Sequence, residues 1–221
     1  MVARLVYVMG PSGAGKDSLL GWLRAHLPDG FPLHWAQRTI SRPPAASAAP
    51  GTEQHESVSP ASFAALRESG AFALHWHANG LGYGIRHAQL APLGDGHWVL
   101  VNGSRAHLPQ ALAAFAALLP VHITATAEVL RQRLLARGRE TPDEVQARVQ
   151  RALAFALPPG VPRIDICNDH HLDNAGEQLL AALRQVPGWP ETPSPVPPAG
   201  GTLSPQAPRS PALVAQPLET P

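Results

Sequence analysis

The stretch Gly10-Pro11-Ser12-Gly13-Ala14-Gly15-Lys16-Asp17-Ser18 decides the fold. It has the spacing of a phosphate-binding loop. In such a loop, successive backbone N–H groups curl around phosphate oxygens, the helix that follows adds the positive end of its dipole, and a lysine reaches the β- and γ-phosphates. The surroundings agree. Leu5-Val6-Tyr7-Val8-Met9 is a short apolar run of strand type, and Ser18-Leu19-Leu20-Gly21-Trp22-Leu23 opens an amphipathic helix. Lys16 is the chain's single lysine among 17 basic side chains. A composition that is otherwise all arginine keeps a compact ammonium where one must fit between phosphates, a position unsuited to a wide planar fork. Use of ATP or GTP follows, with Gly10, Pro11, Ser12, Gly13, Ala14, Gly15, Lys16, Asp17 and Ser18 as the binding loop.

One position departs from the pattern. The residue after the lysine, ordinarily the Ser or Thr that holds Mg²⁺, is Asp17. Its carboxylate is a suitable hard ligand for Mg²⁺. Ser18 is an alternative source of the hydroxyl, and a third reading has Asp17 only stabilising the helix N-terminus.

Working outward, strand-like runs alternate with helical ones. Residues 33–40, 72–77, 83–85, 98–101, 121–124 and 163–167 read as strands, and Asn79-Gly80 as a turn. Residues 42–60, rich in Pro, Ala, Ser and Gly, read as a loop. Helices are expected over 60–67, 106–118, 127–137, 142–155 and 173–186, the first with Ser59 as N-cap and Pro60 in its first turn. This alternation argues for an α/β fold with a mainly parallel sheet covered by helices. The folded part is expected over residues 1–187, and 188–221 as a disordered Pro-rich tail.

Composition bounds the partners. A net charge of +1 gives no global field to attract nucleic acid or an anionic membrane. No run of 18 apolar residues and no signal-peptide pattern occurs, so a cytoplasmic location is expected. The lone Cys167 excludes an internal disulfide and reads as a small buried residue at a strand end. The 11 histidines show no zinc-site spacing, although His75 and His77 share a strand face. The partner is a small molecule, and nothing sets the oligomeric state.

Arginines mark the rest of the site. Arg131, Arg133, Arg137 and Arg139 fall within nine residues, and Arg148 and Arg151 follow on the next helix. An arginine hairpin over residues 127–155 reads as a lid that closes over a nucleotide and stabilises charge on a moving phosphoryl group. Arg38 and Arg42 frame Arg38-Thr39-Ile40-Ser41-Arg42-Pro43, just past a strand end, where ligands of open α/β sheets bind.

The phosphate loop, the Thr-x-Ser-Arg-Pro stretch, Gly82-Tyr83-Gly84 and the arginine hairpin together resemble guanylate kinases. The chain is more similar to a related family, the ribose 1,5-bisphosphate phosphokinases of phosphonate utilisation. That likeness rests on Gly-Pro-Ser-Gly-Ala-Gly-Lys-Asp-Ser, Trp76-His77-Ala78-Asn79-Gly80-Leu81, Val101-Asn102-Gly103-Ser104-Arg105 and Arg137-Gly138-Arg139-Glu140, and spans roughly residues 3–186. The resemblance implies a three-layer P-loop fold like that of nucleoside monophosphate kinases, with ATP and Mg²⁺ as cofactors. It implies transfer of the γ-phosphoryl of ATP to the 1-phosphate of ribose 1,5-bisphosphate. It also implies roles. Lys16, Arg137 and Arg148 would be catalytic, and Arg133 would join the ATP site. Asp17 and Ser18 would face Mg²⁺. Arg38, Arg42, Glu53, His55 and Tyr83 would line the acceptor site within residues 38–90. Trp76, His77, Asn79 and Arg105 lie near the substrate in the family pattern, with a structural role equally open.

Two alternatives stand beside it. A guanylate kinase would use a Ser and an acidic residue to read guanine, but here the strand ends Val-Asn-Gly-Ser, with Asn102 where an acid usually sits. A non-catalytic interaction module would generally lack a working phosphate loop. A GTPase switch is excluded, because its Asn-Lys-x-Asp motif needs a second lysine.

Overall fold

The architecture is that of a computed structural model, which describes residues 4–42, 55–138 and 140–191. In chain order the strands are β1 (Leu5–Met9), β2 (Leu33–Trp35), β3 (Arg38–Ser41), β4 (His55–Val58), β5 (Phe72–Ala78), β6 (Leu81–Arg86), β7 (Trp98–Asn102), β8 (Leu118–Thr124) and β9 (Ile164–Cys167). The helices are α1 (Lys16–His26), α2 (Pro60–Glu68), α3 (His87–Leu90), α4 (Leu108–Ala114), α5 (Ala127–Ala136), α6 (Pro142–Ala154) and α7 (Leu172–Arg184).

β1 is central because every one of its residues can be buried: all five are at most 3% exposed. A run apolar on both faces suits a parallel strand covered on both sides. The sheet order is β2-β7-β1-β8-β9, and every pairing is parallel. Alternation then splits the core. Val6 and Val8 point into one layer with Leu19, Leu23, Leu130, Leu179 and Leu183, whereas Leu5, Tyr7 and Met9 point into the other with Leu108, Ile85 and Trp76. The phosphate loop leaves the C-terminal end of β1 and runs into α1, which is the strand–loop–helix order expected from the sequence.

The expected strand over residues 33–40 is two strands. β2 pairs with β7, the chain turns at Ala36–Gln37, and β3 joins a separate four-stranded sheet of order β4-β3-β6-β5. Ala36 still donates its N–H to Leu100 O, so the break comes directly after the last bond to the main sheet. The expected loop over 42–60 contains β4, parallel to β3; its residues 43–54 lie outside the described residues. The helix expected over 106–118 is a 3₁₀ turn followed by the shorter α4, and Leu118 already belongs to β8. Asn79 (φ 51) and Gly80 (φ 74) form the predicted tight turn between β5 and β6.

At the far end, Trp189 is 7% exposed, its ring packs on Trp98 and Phe31, and Trp98 Nε1 donates to Gly188 O. Ordered packing therefore runs past the boundary expected at residue 187; most of the expected tail, residues 192–221, lies outside the described residues. Cys167 is exposed rather than buried, with its S–H donated to Asp169. None of the helices among the described residues is long and apolar enough to cross a membrane.

Candidate active site

The loop is held from below. Gly15 has φ 82, a left-handed conformation that glycine adopts without steric cost. A Cβ there would also sit 2.4 Å from Asn168 Nδ2. Asn168 is 2% exposed and follows β9; its backbone N–H bonds Thr124 O, and its amide donates to Ala14 O at 2.8 Å. A side chain 154 positions away thus fixes a carbonyl of the loop on its outer side. Arg133 approaches the same place: its Nη1 is buried with no hydrogen-bond partner among the described residues, and it lies 3.6 Å from where a Cβ of Gly15 would be. A desolvated, unmatched guanidinium nitrogen beside a phosphate loop is a donor suited to an anionic oxygen.

Lys16 opens α1, and its ammonium donates to Gly10 O at 2.9 Å and Pro11 O at 3.2 Å. Burial pushes its pKa down to about 8; Asp17 opposes the shift, and Arg38, Arg105 and Arg137 add to it. Asp17 accepts a hydrogen bond of 2.9 Å from the amide of Asn102 at the end of β7. The turn after Asn102 is fixed by Tyr7. A Cβ on Gly103 would lie 2.1 Å from the tyrosine ring, Ser104 N donates to Tyr7 Oη at 2.9 Å, and Tyr7 Oη donates back to Ser104 O. Burial raises the tyrosine pKa to about 12, so the phenol remains a donor at any ordinary pH.

The second sheet forms the opposite wall, and period-2 alternation decides what it presents. Arg38 is in register with His55, and Ile40 with Ser57 and Tyr83; all five line the cleft. The intervening positions lock the sheet instead. Buried Thr39 donates to Glu56 Oε2 at 2.7 Å, and Arg86 grips both oxygens of Glu56 at 2.8 and 2.7 Å. The Arg86 hydrogen bonds hold the Glu56 carboxyl below its ordinary pKa. Ser41 Oγ accepts from Gly82 N at 2.6 Å. Tyr83 lies parallel to Trp76 at 5.6 Å, with the Arg38 guanidinium 5.6 Å above the tyrosine ring.

Helices α5 and α6 make a hairpin across one side. Thr141 and Glu144 form a capping box that starts α6. Arg148 pairs with Glu140 at 2.9 Å and also reaches Asn79 Oδ1 at 3.4 Å, on the β5–β6 turn. Arg105 donates to Ala152 O at 3.0 Å and stacks on Phe155, which ties the segment after β7 to the end of α6.

Between these walls lies a cleft of about 1230 Å³. Its described lining includes seven basic side chains, Lys16, Arg38, Arg42, Arg105, Arg137, Arg148 and Arg151, against two carboxylates, Asp17 and Glu140. That imbalance suits a ligand, or a pair of ligands, with several phosphates. The loop residues other than the fully buried Ala14, together with Arg38, Arg42, His55, Tyr83, Arg137 and Arg148, are thus brought to one cavity. Arg133 reaches the loop but is not among the cleft-lining residues, and Glu53 lies outside the described residues. His77 points away from the cleft and packs edge-on against Phe63. Sequence reasoning missed Asn168 and Glu56, and ranked Arg105 low. The Asn168-Asp169 pair just past a strand's C-terminal end was the available signal for the first.

No family model matches the chain. It is 49% identical over 180 residues to the ribose 1,5-bisphosphate phosphokinase PhnN of Laribacter hongkongensis, which covers 81% of this chain and 42% of that longer protein. To the PhnN of Burkholderia pseudomallei it is 46% identical over 180 residues, 81% of this chain and 95% of the other. The chain belongs to the PhnN family of ribose 1,5-bisphosphate phosphokinases. The Pseudomonas paraeruginosa member is 45% identical over 184 residues, 83% of this chain and 96% of that one. Among solved structures, guanylate kinase from Anaplasma phagocytophilum aligns with a TM-score of 0.56 at 17% identity over 83% of this chain and 85% of that one, which is a likeness of fold. The PhnN family thus sits on a guanylate-kinase-like framework here, as the sequence led us to expect.

Proposed function

We propose that the chain transfers the γ-phosphoryl group of ATP to the 1-phosphate of ribose 1,5-bisphosphate, giving 5-phosphoribosyl 1-diphosphate and ADP. Membership of the PhnN family supports this, and the observation that carries it on the structure is the cleft with seven basic side chains against two carboxylates. The step balances without an external proton acceptor. An oxygen of the 1-phosphate, already ionised at neutral pH, bonds the γ-phosphorus. The bond from that phosphorus to the β–γ bridging oxygen breaks, and its electron pair leaves on ADP. The work left to the protein is alignment and charge neutralisation.

The roles follow the geometry. The loop from Gly10 to Ser18 holds the ATP phosphates. Lys16, now bonded to two loop carbonyls, exchanges them for phosphate oxygens, which accept more strongly from an ammonium. Arg133 supplies its unmatched Nη1 beside the loop. Arg38, Arg42 and His55 bind the acceptor's phosphates and Tyr83 its sugar. Arg137 and Arg148 close from the α5–α6 hairpin, the lid. A carboxylate from Asp17 and a hydroxyl from Ser18, adjacent at the start of α1, make a hard-oxygen donor set that fits Mg²⁺. Bound there, such an ion would supply neutralisation of the charge that develops on the transferring phosphoryl group.

The test is ADP release with ATP and Mg²⁺, comparing ribose 1,5-bisphosphate with GMP. Turnover with the sugar bisphosphate is expected; turnover with GMP alone would overturn the assignment in favour of a guanylate kinase.

A further inference from the structure

In phosphate-loop enzymes the metal is held by two residues: the hydroxyl that follows the lysine, and an aspartate at the end of a neighbouring strand. Both places are identifiable here and both hold the wrong residue. Asp17 follows Lys16, and Asn102 ends β7, the neighbour of β1. We propose that the two functions have changed places: Asp17 supplies the carboxylate ligand from the helix, and Asn102 is the positioning residue that aims it. The proposal rests on the kinase reading above and deepens it.

The geometry gives the reason the exchange comes as a pair. Asn102 is 2% exposed and cannot shift, because it is in register with Val8 and the next residue donates to Val8 O at 2.7 Å. Tyr7 fills the space beneath that turn. Asn102 Nδ2 donates to Asp17 Oδ1 at 2.9 Å, which fixes the carboxylate while its other oxygen stays available on an exposed residue. An aspartate at 102 would set two carboxylates at that distance, and two such anions cannot both stay ionised cheaply without a cation between them. A carboxylate at 17 therefore calls for a neutral donor at 102, and asparagine is the isostere that supplies it. Either arrangement leaves a single negative charge beside the metal.

The test measures Mn²⁺ affinity of the protein–ADP complex by electron paramagnetic resonance, with ADP affinity in the absence of metal measured calorimetrically. Asp17→Ser is expected to weaken Mn²⁺ binding about 10–100-fold while leaving metal-free ADP binding within about twofold. Adding Asn102→Asp to that variant is expected to restore Mn²⁺ affinity to within about threefold of wild type. A double variant no tighter than Asp17→Ser, or an Asp17→Ser variant with unchanged Mn²⁺ affinity, would overturn the proposal. If the double variant does not fold, Asn102→Ala decides. It should weaken Mn²⁺ about tenfold and spare metal-free ADP binding, whereas equal losses in both would mean Asn102 is merely structural. Failure of the wild-type protein to bind ADP at all is a separate outcome, and it would sink the kinase reading itself.

Discussion

Raising the pH from 7 to 9 should strip the phosphate loop of its defining charge. Lys16 titrates at about 8 in the free protein because burial disfavours the ammonium more than Asp17 favours it. With that value, about nine-tenths of the molecules carry the charge at pH 7 and about one-tenth at pH 9, by simple titration. Metal-free ADP affinity should therefore fall about tenfold across that span, with a limiting slope of one proton. The bound phosphates restabilise the ammonium, so binding near pH 8.5 should take up a proton, readable by calorimetry in buffers of different ionisation enthalpy. Stability moves the opposite way. The folded pKa lies below the unfolded value of 10.5, so between about 8 and 10.5 the unfolded chain holds more protons. Folding stability then gains from this group as pH rises through the window. Lys16→Arg, which stays charged, should abolish the pH dependence whatever it does to absolute affinity. Wild-type ADP affinity that is flat to pH 9.5 would refute the buried-lysine argument.

Asn168→Ala removes the amide that holds Ala14 O and leaves that carbonyl without its buried donor, a loss of about 1–3 kcal/mol. Its effect should appear in ATP KM more than in acceptor KM, since the loop rather than the second sheet is loosened; equal shifts in both would count against it. Glu56→Gln breaks the bidentate grip of Arg86 and should lower stability by about 1–2 kcal/mol at neutral pH. The folded pKa of Glu56 is depressed, so its contribution is present above the ordinary value of 4.5 and is lost as pH falls below it. Denaturant titrations should show the gap between variant and wild type narrowing as pH falls below 4.5, and a gap that stays constant through that range would contradict this origin.

The phosphate loop was legible because its information is local: spacing, two positive-φ glycines and one lysine specify it before any tertiary contact forms. The register of the second sheet was not. Residues 33–40 read as one extended run, and only pairing with β7 on one side of Ala36 and with β6 on the other divides it. β4 was hidden because its residues, His55-Glu56-Ser57-Val58, are polar in three of four positions and half-buried throughout, and they become a strand by pairing with β3. The same limit applies to the site. Asn102 and Asp17 are 85 positions apart, and Asn168 and Ala14 are 154 apart. Each residue was visible as an oddity or passed over, but the contacts that give them meaning are non-local. Trp189 is the converse case: it packs on Trp98 from within Pro-rich sequence, a contact that composition does not announce.

The distribution of cations across the cleft bears on how catalysis is apportioned. Two polyanions must approach within bonding distance, and at an effective dielectric of 20 a pair of unit charges 4 Å apart repels by about 4 kcal/mol. Neither a general base nor an acid relieves that repulsion. In the proposed reaction that falls to arginines delivered from four separate places: Arg38 and Arg42 from β3 and the residue after it, Arg105 from the segment after β7, Arg137 from the end of α5, and Arg148 and Arg151 from α6. Arg105 and Arg148 also carry structural bonds, to Ala152 O and to Glu140, so these cations are held apart from one another before any ligand arrives. Fixed, spaced charge needs little reorganisation when a phosphate enters, which is the condition under which electrostatic stabilisation is most effective. A single arginine lost from such an array should lower turnover in a graded way, because its neighbours still screen the phosphates. Loss of Lys16 should be far more severe, because its ammonium is the one side-chain donor to the loop carbonyls of Gly10 and Pro11 among the described contacts.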